Sequence, residues 1–229
     1  MFAITFLFTH WYLSLFCQTF YLHRYVSHRQ FELSTGWNRF FLILTIISQG
    51  PSFLRPRHYM LLHARHHAHS DEELDPHSPL QSKNVVSMMS KTFREYLSLK
   101  CTSEDFPRIV AVADSLVSRI AFVLLYSVLY LTFTESYWYL LLVPIHSFMG
   151  PIHGAIVNWC GHKYGYRNHS IQDNSKNTLF LDFLMMGELY QNNHHANPLK
   201  VNFADRWYEL DLTYFVFKIL KRLKVVQHA

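Results

Sequence analysis

Residues 40–54 read FFLILTIISQGPSFL. This apolar run lies between Arg39 and Arg55, and QGP at 49–51 interrupts it. A helix that crosses a bilayer needs about 20 apolar residues. A shorter run broken by a glycine–proline pair falls among buried, re-entrant or interfacial segments. The choice decides the fold, because histidines stand on both sides of it: His23 and His28 before, His63, His66 and His67 after. If the run crosses a membrane, the two groups end on opposite faces. If it does not, they share one. We read residues 37–54 as an interfacial segment that does not cross.

The surrounding composition is that of a membrane protein. Of 229 residues, 50% are hydrophobic, 17% aromatic and only 16% charged, against roughly 25% charged in a soluble domain. The length suits a single domain, 1–229. Cys17, Cys101 and Cys160 are odd in number and scattered. They make no disulfide framework and no zinc spacing, and read as reduced thiols. The formal charge of +5 and pI near 9.1 raise the question of nucleic acid. The aromatic residues, however, sit in apolar runs rather than among the basic ones. We expect no nucleic acid, and instead an anionic membrane surface or a phosphate-bearing substrate.

Residues 1–22 contain no Asp, Glu, Lys or Arg. They lack a basic leader and a small-residue cleavage site, so they read as a span rather than a removed signal. Two further runs, 116–134 and 136–160, are separated by Glu135 and suggest a tight hairpin of spans. All 21 Lys and Arg residues fall within 24–119 or 163–224. Positive charge gathers on the cytoplasmic side, which places those stretches there and the N-terminus opposite. Residues 211–225 space their apolar positions helically, with Lys218, Lys221, Arg222 and Lys224 on the other side. This helix either lies on the membrane surface or packs on the domain. The expected fold is therefore all-α: about three transmembrane helices, one interfacial helix and a cytoplasmic helical cap.

Sixteen histidines are many for such a chain, and eight of them cluster. HRYVSH supplies His23 and His28, and HARHH supplies His63, His66 and His67. NWCGH supplies Asn158 and His162, and QNNHH supplies Gln191, His194 and His195. On a helix, positions i, i+3 and i+4 share a face, so each of the last three sets can converge on one point. His23 and His28, five apart, do not align on a regular helix, and we expect them to straddle a helix end. Eight imidazoles exceed the roughly four ligands of one zinc and suffice for two metals. Imidazole suits iron, zinc, copper and nickel alike. The remaining histidines, at 10, 58, 69, 77, 146, 153, 169 and 228, read as hydrogen-bonded structural residues.

In order and spacing, HRYVSHR, HARHHAHSDEELDPHSP, NWCGHKYGY and GELYQNNHHANP resemble the membrane-bound fatty-acyl desaturases, in particular bacterial relatives of the acyl-CoA delta-9 type. The likeness runs over roughly 10–210. It implies two iron ions held by His23, His28, His63, His66, His67, His162, His194 and His195, with Asn158 reaching the metal through water. It implies O2 as co-substrate, removal of two hydrogens from a saturated acyl chain, and a cis double bond as product. Electrons would come from a separate ferredoxin- or cytochrome b5-like donor, because no residues are left over for a haem or flavin segment. The expected location is a bacterial inner membrane. Two departures stand out. Gln191 replaces the histidine that usually opens the last motif, which makes it a doubtful ligand. The family also commonly has a span before the first motif, so we count three spans rather than four.

An unactivated methylene has no acidic proton, so acid–base chemistry alone cannot desaturate it, and the cofactor must carry the hard step. Arg24, Arg29 and Arg65, with Arg55, Arg57, Lys163 and Arg167, are candidates to meet a phosphate-bearing head group such as coenzyme A. Trp37 and Trp159, with Phe40 and Trp138, are candidates to line an acyl channel. Asp71, Asp75, Asp182 and Glu188 are candidates to orient metal-bound imidazoles. A di-iron hydroxylase of alkyl chains shares the same spacing. A metal transporter fits less well, since its ligands should lie deep within spans.

Overall fold

The computed structural model describes residues 1–101 and 104–228, the side chain of His228 excepted. The expectation for the His228 side chain therefore lies outside the described residues. Helix α1 (Phe2–Phe16) continues without a break into a π-helix (Cys17–Ser27). After strand β1 (Phe31–Leu33) come α2 (Thr35–Gln49), a 3-10 turn (Gly50–Ser52) and α3 (Pro56–Ala68). Helices α4 (Val85–Ser98), α5 (Pro107–Ala113) and α6 (Leu116–Phe133) follow. A 3-10 segment (Tyr137–Leu142) then leads to α7 (Val143–Ser147) and α8 (Met149–Lys163). The chain closes with α9 (Gln191–Ala196), α10 (Leu212–Arg222) and β2 (Val226–His228).

Residues 40–54 form a hairpin. Ser34 caps α2 by accepting the Trp37 N–H. The helix then runs antiparallel to α1 and the π-helix: Tyr21 donates to Asn38 at 2.7 Å, Phe20 packs on Phe41, and the Ser48 carbonyl reaches His10. Gly50 ends α2 at φ +50, where Tyr126 fills the space that a Cβ would need. Only glycine fits such a turn without strain. The Gly150 N–H donates to Ser52 at 3.1 Å, and the chain returns through α3, so His63 reaches His23 with ring centroids 4.5 Å apart. Both ends of the segment lie at the same end of the bundle. It is not a flat surface helix, however. The GPS tip inserts between α6 and α8, because small residues there allow close approach.

The expected helical class holds for most of the described residues, with one small sheet added to it. β1 and β2 pair antiparallel, with Phe31 opposite His228 and Leu33 opposite Val226. The C-terminal helix therefore stops at Arg222, and Lys224 turns at φ +57 to release the β-branched Val225 and Val226 into the sheet. Phe20, Phe31, Phe41, Phe217 and Val226 form the core beneath it. Among the described residues, one helix, Leu116–Phe133, is long and apolar enough to cross a membrane. The run 136–160 is a helix pair bent by 59° at Phe148.

A hydrogen-bonded line ties the bundle together. His10 Nε2 donates to the Ser48 carbonyl at 2.5 Å. His10 Nδ1 must then accept from His146 Nδ1 at 2.5 Å, and His146 Nε2 accepts from Tyr130 at 2.6 Å. Every ring nitrogen is satisfied with both imidazoles neutral. His169 also meets the structural expectation, 2.6 Å from Asp205, as does exposed His69 at 3.2 Å from Glu72. His58 lies 3.7 Å from Glu104. His153 differs: it is fully buried against Trp11, and neither ring nitrogen has a hydrogen-bond partner.

Candidate metal centre

All eight clustered histidines come together, but in two groups that the spacing did not anticipate. Ligand atoms of His23, His28, His63, His67 and His194 lie within 4.8 Å of one another. Those of His66, His162 and His195 form a second group on the same criterion. The triplets split because consecutive residues on a helix are about 100° apart. His63 and His67, four apart, stay together on α3, while His66 turns to the second group. On α9, His194 goes to the first group and His195 to the second.

The first pair owes its geometry to the π-helix. An i→i+5 ladder brings residues five apart to one side, and the His28 N–H bonds the His23 carbonyl at 3.1 Å. The two rings then sit 4.9 Å apart. The pair straddles the end of this helix as expected, with His23 on the last wide turn and His28 at the C-cap just past Ser27. Thr19 and Arg24, also five apart, are joined in the same way by a side-chain hydrogen bond.

Carboxylates hold the far side of the rings. His66 Nδ1 donates to Asp75 at 3.0 Å, His162 Nδ1 to Asp71 at 3.0 Å, and His195 Nδ1 to Asp173 at 2.6 Å. His23 Nδ1 lies 2.7 Å from Glu188. Of the four acids expected here, Asp71, Asp75 and Glu188 touch rings. Asp182 does not: it accepts the N–H groups of Met185, Gly187 and Leu189 and shapes the turn before α9. Asp173 had no sequence signal, since it sits in a loop away from every motif. Burial alone would raise these acids. His23 and Arg24 nevertheless bring Glu188 down to about 2, and His195 holds Asp173 well below the usual carboxylate range. Asp75 is pushed up by burial to about 6.

The arrangement asks for a cation. Burial, reinforced by neighbouring rings, drives His63, His66 and His194 well below their ordinary 6.5, and His28 to about 2. These four rings are therefore neutral. In the second group every Nδ1 faces a carboxylate, which leaves the three Nε2 atoms turned inward to one another. Two of them stand 3.3 Å apart, and that of His162 has no partner. In the first group the Nε2 atoms form a chain, His23–His194–His67–His63–His28, with separations of 3.1, 3.1, 3.0 and 2.7 Å. Each Nε2 offers one in-plane position, either a proton or a lone pair. Hydrogen bonds can satisfy at most two of these four contacts. A metal ion at each group turns the repulsion into ligation, so the residues fit a two-metal centre.

The other candidates fare unevenly. Gln191 is buried, and its amide donates to the Glu188 carbonyl at 2.8 Å. Asn158 is half-buried on α8, one turn before His162. Arg24 is fully buried, binds Glu188 and Asp211, and stacks on Phe203. It is a structural cation and is not offered to a head group. Arg65 pairs with Glu95, and Trp159 lies under the Lys163 ammonium at 3.7 Å. Trp37 faces outward on α2. Arg29 is exposed on a surface cavity of about 520 Å³ shared with Tyr25, Arg57 and Asp105. His77, expected to be plainly structural, packs 4.4 Å from His66 with its Nδ1 unpartnered.

Residues 1–224 match the family model described as fatty acid desaturase. The chain is 29% identical to the sn-1 stearoyl-lipid 9-desaturase of Anabaena variabilis, over 88% of this chain and 74% of that one. It is 26% identical to the acyl-CoA C20 delta5-desaturase of Anemone leveillei, covering 91% and 67%. It is 25% identical to the hex-5-enoyl-[acyl-carrier protein] acetylenase of Moorena producens, covering 94% and 73%. The two histidine groups and this match agree: the chain belongs to the fatty acid desaturase family and is an oxidoreductase that desaturates fatty acyl chains.

Proposed function

We propose that this chain is a di-iron acyl desaturase of delta-9 type that places a cis double bond in a saturated acyl chain. The observation that carries it is the pair of abutting imidazole groups whose Nε2 atoms converge at separations that hydrogen bonds alone cannot all satisfy. Two iron ions bound there would supply O2 activation and removal of two hydrogens. The protein's part is to hold the imidazoles neutral, aim them through Glu188, Asp71, Asp75 and Asp173, and keep the centre buried. All eight histidines serve as ligands. Asn158 acts through water, and Gln191 orients the turn at Glu188.

The acyl carrier we take to be coenzyme A, met by exposed cations such as Arg29 and Arg167, and the electrons to come from a separate donor protein. The chain lies in a bacterial inner membrane with α1, α6 and the bent α7–α8 pair as spans. Residues 40–54 dip in and return on the cytoplasmic side, where the metal centre sits. Support comes from the gathering of Lys and Arg in two stretches and from the hairpin that keeps His23 and His63 together.

Expression in a host lacking its own desaturase tests this. New cis-9 acyl chains and about two irons per chain are the expected results. Hydroxylated lipids without new double bonds, or one labile zinc per chain, would refute it. Competition among acyl-CoA, acyl-carrier-protein and lipid substrates identifies the carrier.

A further inference from the structure

Helix α10 has two apolar faces, and only one is used. Thr213 and Phe217 are buried, with the Phe217 ring 5.3 Å from Phe31 in the core. Phe215, Ile219 and Leu223, spaced i, i+4 and i+8, are 47%, 56% and 67% exposed. A row of large apolar side chains on one helix face is costly to leave in water. Cations flank this row: Lys218, Lys221, Arg222 and Lys224. Lys218 places its ammonium 4.3 Å from the Phe215 ring, so charge and apolar surface adjoin rather than separate.

The sheet locates this face. Leu33 pairs with Val226, so the end of α10 and the start of α2 lie side by side. From that point α2 carries its own exposed stripe of Trp37, Phe40, Ile43 and Ile47 down along α1. Trp37 and Arg39 stand at the head of this stripe, on the first turns of α2. Tryptophan and basic residues favour the membrane boundary.

We infer that α10 docks on an anionic phospholipid leaflet, with Phe215, Ile219 and Leu223 at the headgroup–acyl boundary and the flanking cations on lipid phosphates. The assignment rests on the membrane placement proposed above. The apolar row set directly among cations, with Lys218 against the Phe215 ring, matches the acyl boundary and phosphates of a lipid surface and favours it over a second copy of the chain or an acidic donor protein. Each cation brought to an anionic surface strengthens attachment about five-fold.

The test uses the full chain in vesicles. Cys101 and Cys160 are replaced by serine, and an environment-sensitive fluorophore is attached to Ile219→Cys or, in a separate sample, to Leu124→Cys on α6. In vesicles containing phosphatidylglycerol, the label at 219 should shift to the blue, be quenched by shallow spin-labelled lipid and resist iodide. The charge reversals K218E, K221E and R222E together should abolish the preference for phosphatidylglycerol over pure phosphatidylcholine. Iodide access at 219 with lipid quenching at 124 would overturn this inference alone. Iodide access at both sites would overturn the membrane placement as well. Protection at 219 that appears only on adding an acidic donor protein, or only with dimer formation, would assign the face to that partner and overturn the lipid assignment.

Discussion

Glu188→Gln separates what this buried acid does for the fold from what it does for the metal. Glu188 stands 2.7 Å from both His23 Nδ1 and Arg24, and Asp211 lies 2.8 Å from the other arm of Arg24. The buried set thus holds one fixed cation and two acids, and burial pushes Asp211 up despite Arg24. The surplus negative charge faces the five-imidazole group and is balanced when a metal binds. Glutamine leaves Arg24 and Asp211 as a neutral pair and keeps an oxygen that can accept from His23. Folding should therefore lose one charge-assisted hydrogen bond, about 1.5–3 kcal/mol, rather than the ~3–5 kcal/mol of a stranded buried charge. At this chain length that is a fall in Tm of roughly 3–12 °C. Metal retention should fall about 10–100-fold, as when other ligand-orienting partners are removed. The assay is metal per chain after dialysis against graded chelator, with thermal unfolding in parallel. One of two metals should leave at a correspondingly lower chelator concentration. If Tm falls while both metals are retained as in the wild type, Glu188 serves only Arg24 and the reasoning fails.

Other perturbations read different parts of the molecule. The metal-free protein should lose stability as pH falls below 6.5, because His28, His63, His66 and His194 stay neutral when folded but protonate when unfolded. Each such ring costs about 1.4 kcal/mol per pH unit, and the loss continues until the folded value is reached, about 2 for His28; a flat denaturation midpoint between pH 6.5 and 5 would contradict this. Gly161→Ala should cost about 1–3 kcal/mol and loosen the second metal, since the new methyl falls on the buried Gln191 side chain; unfolding and metal analysis check both. His146→Phe keeps a ring against Phe6 but strands His10 Nδ1 and the Tyr130 hydroxyl, at about 1–3 kcal/mol each. An unchanged Tm in detergent would show that the line of hydrogen bonds does not hold the bundle.

Much of the site was legible because metal binding by imidazole leaves its mark in residue type. All eight histidines were marked by clustering alone. Their partition was not, because the i, i+3, i+4 rule treats 100° of divergence between His66 and His67 as one face. The π-helix also escaped: no propensity rule announces it, and the five-residue gap from His23 to His28 was its only trace. Arg24 looked like a substrate contact because it adjoins a histidine, whereas its environment comes from Glu188 and Asp211, more than 160 positions away. In the fold, the QGP break in 40–54 marked the tight turn at Gly50 that sends the chain back through α3 toward His23. The pairing of β1 with β2 joins two three-residue stretches from opposite ends of the chain, and such short strands carry no readable period.

Two helices each contribute consecutive residues to different groups: His66 and His67 from α3, His194 and His195 from α9. Neighbouring Cα atoms are a fixed ~3.8 Å apart, so the peptide bond itself becomes the spacer between the two centres, applied twice from opposite sides. Side-chain rotation can adjust each centre a little, but neither can migrate without turning a whole helix and dragging the other with it. The distance between the two imidazole groups is therefore a property of backbone stereochemistry, and substitutions that spare these four positions should leave it nearly constant however much the surrounding pocket is remodelled.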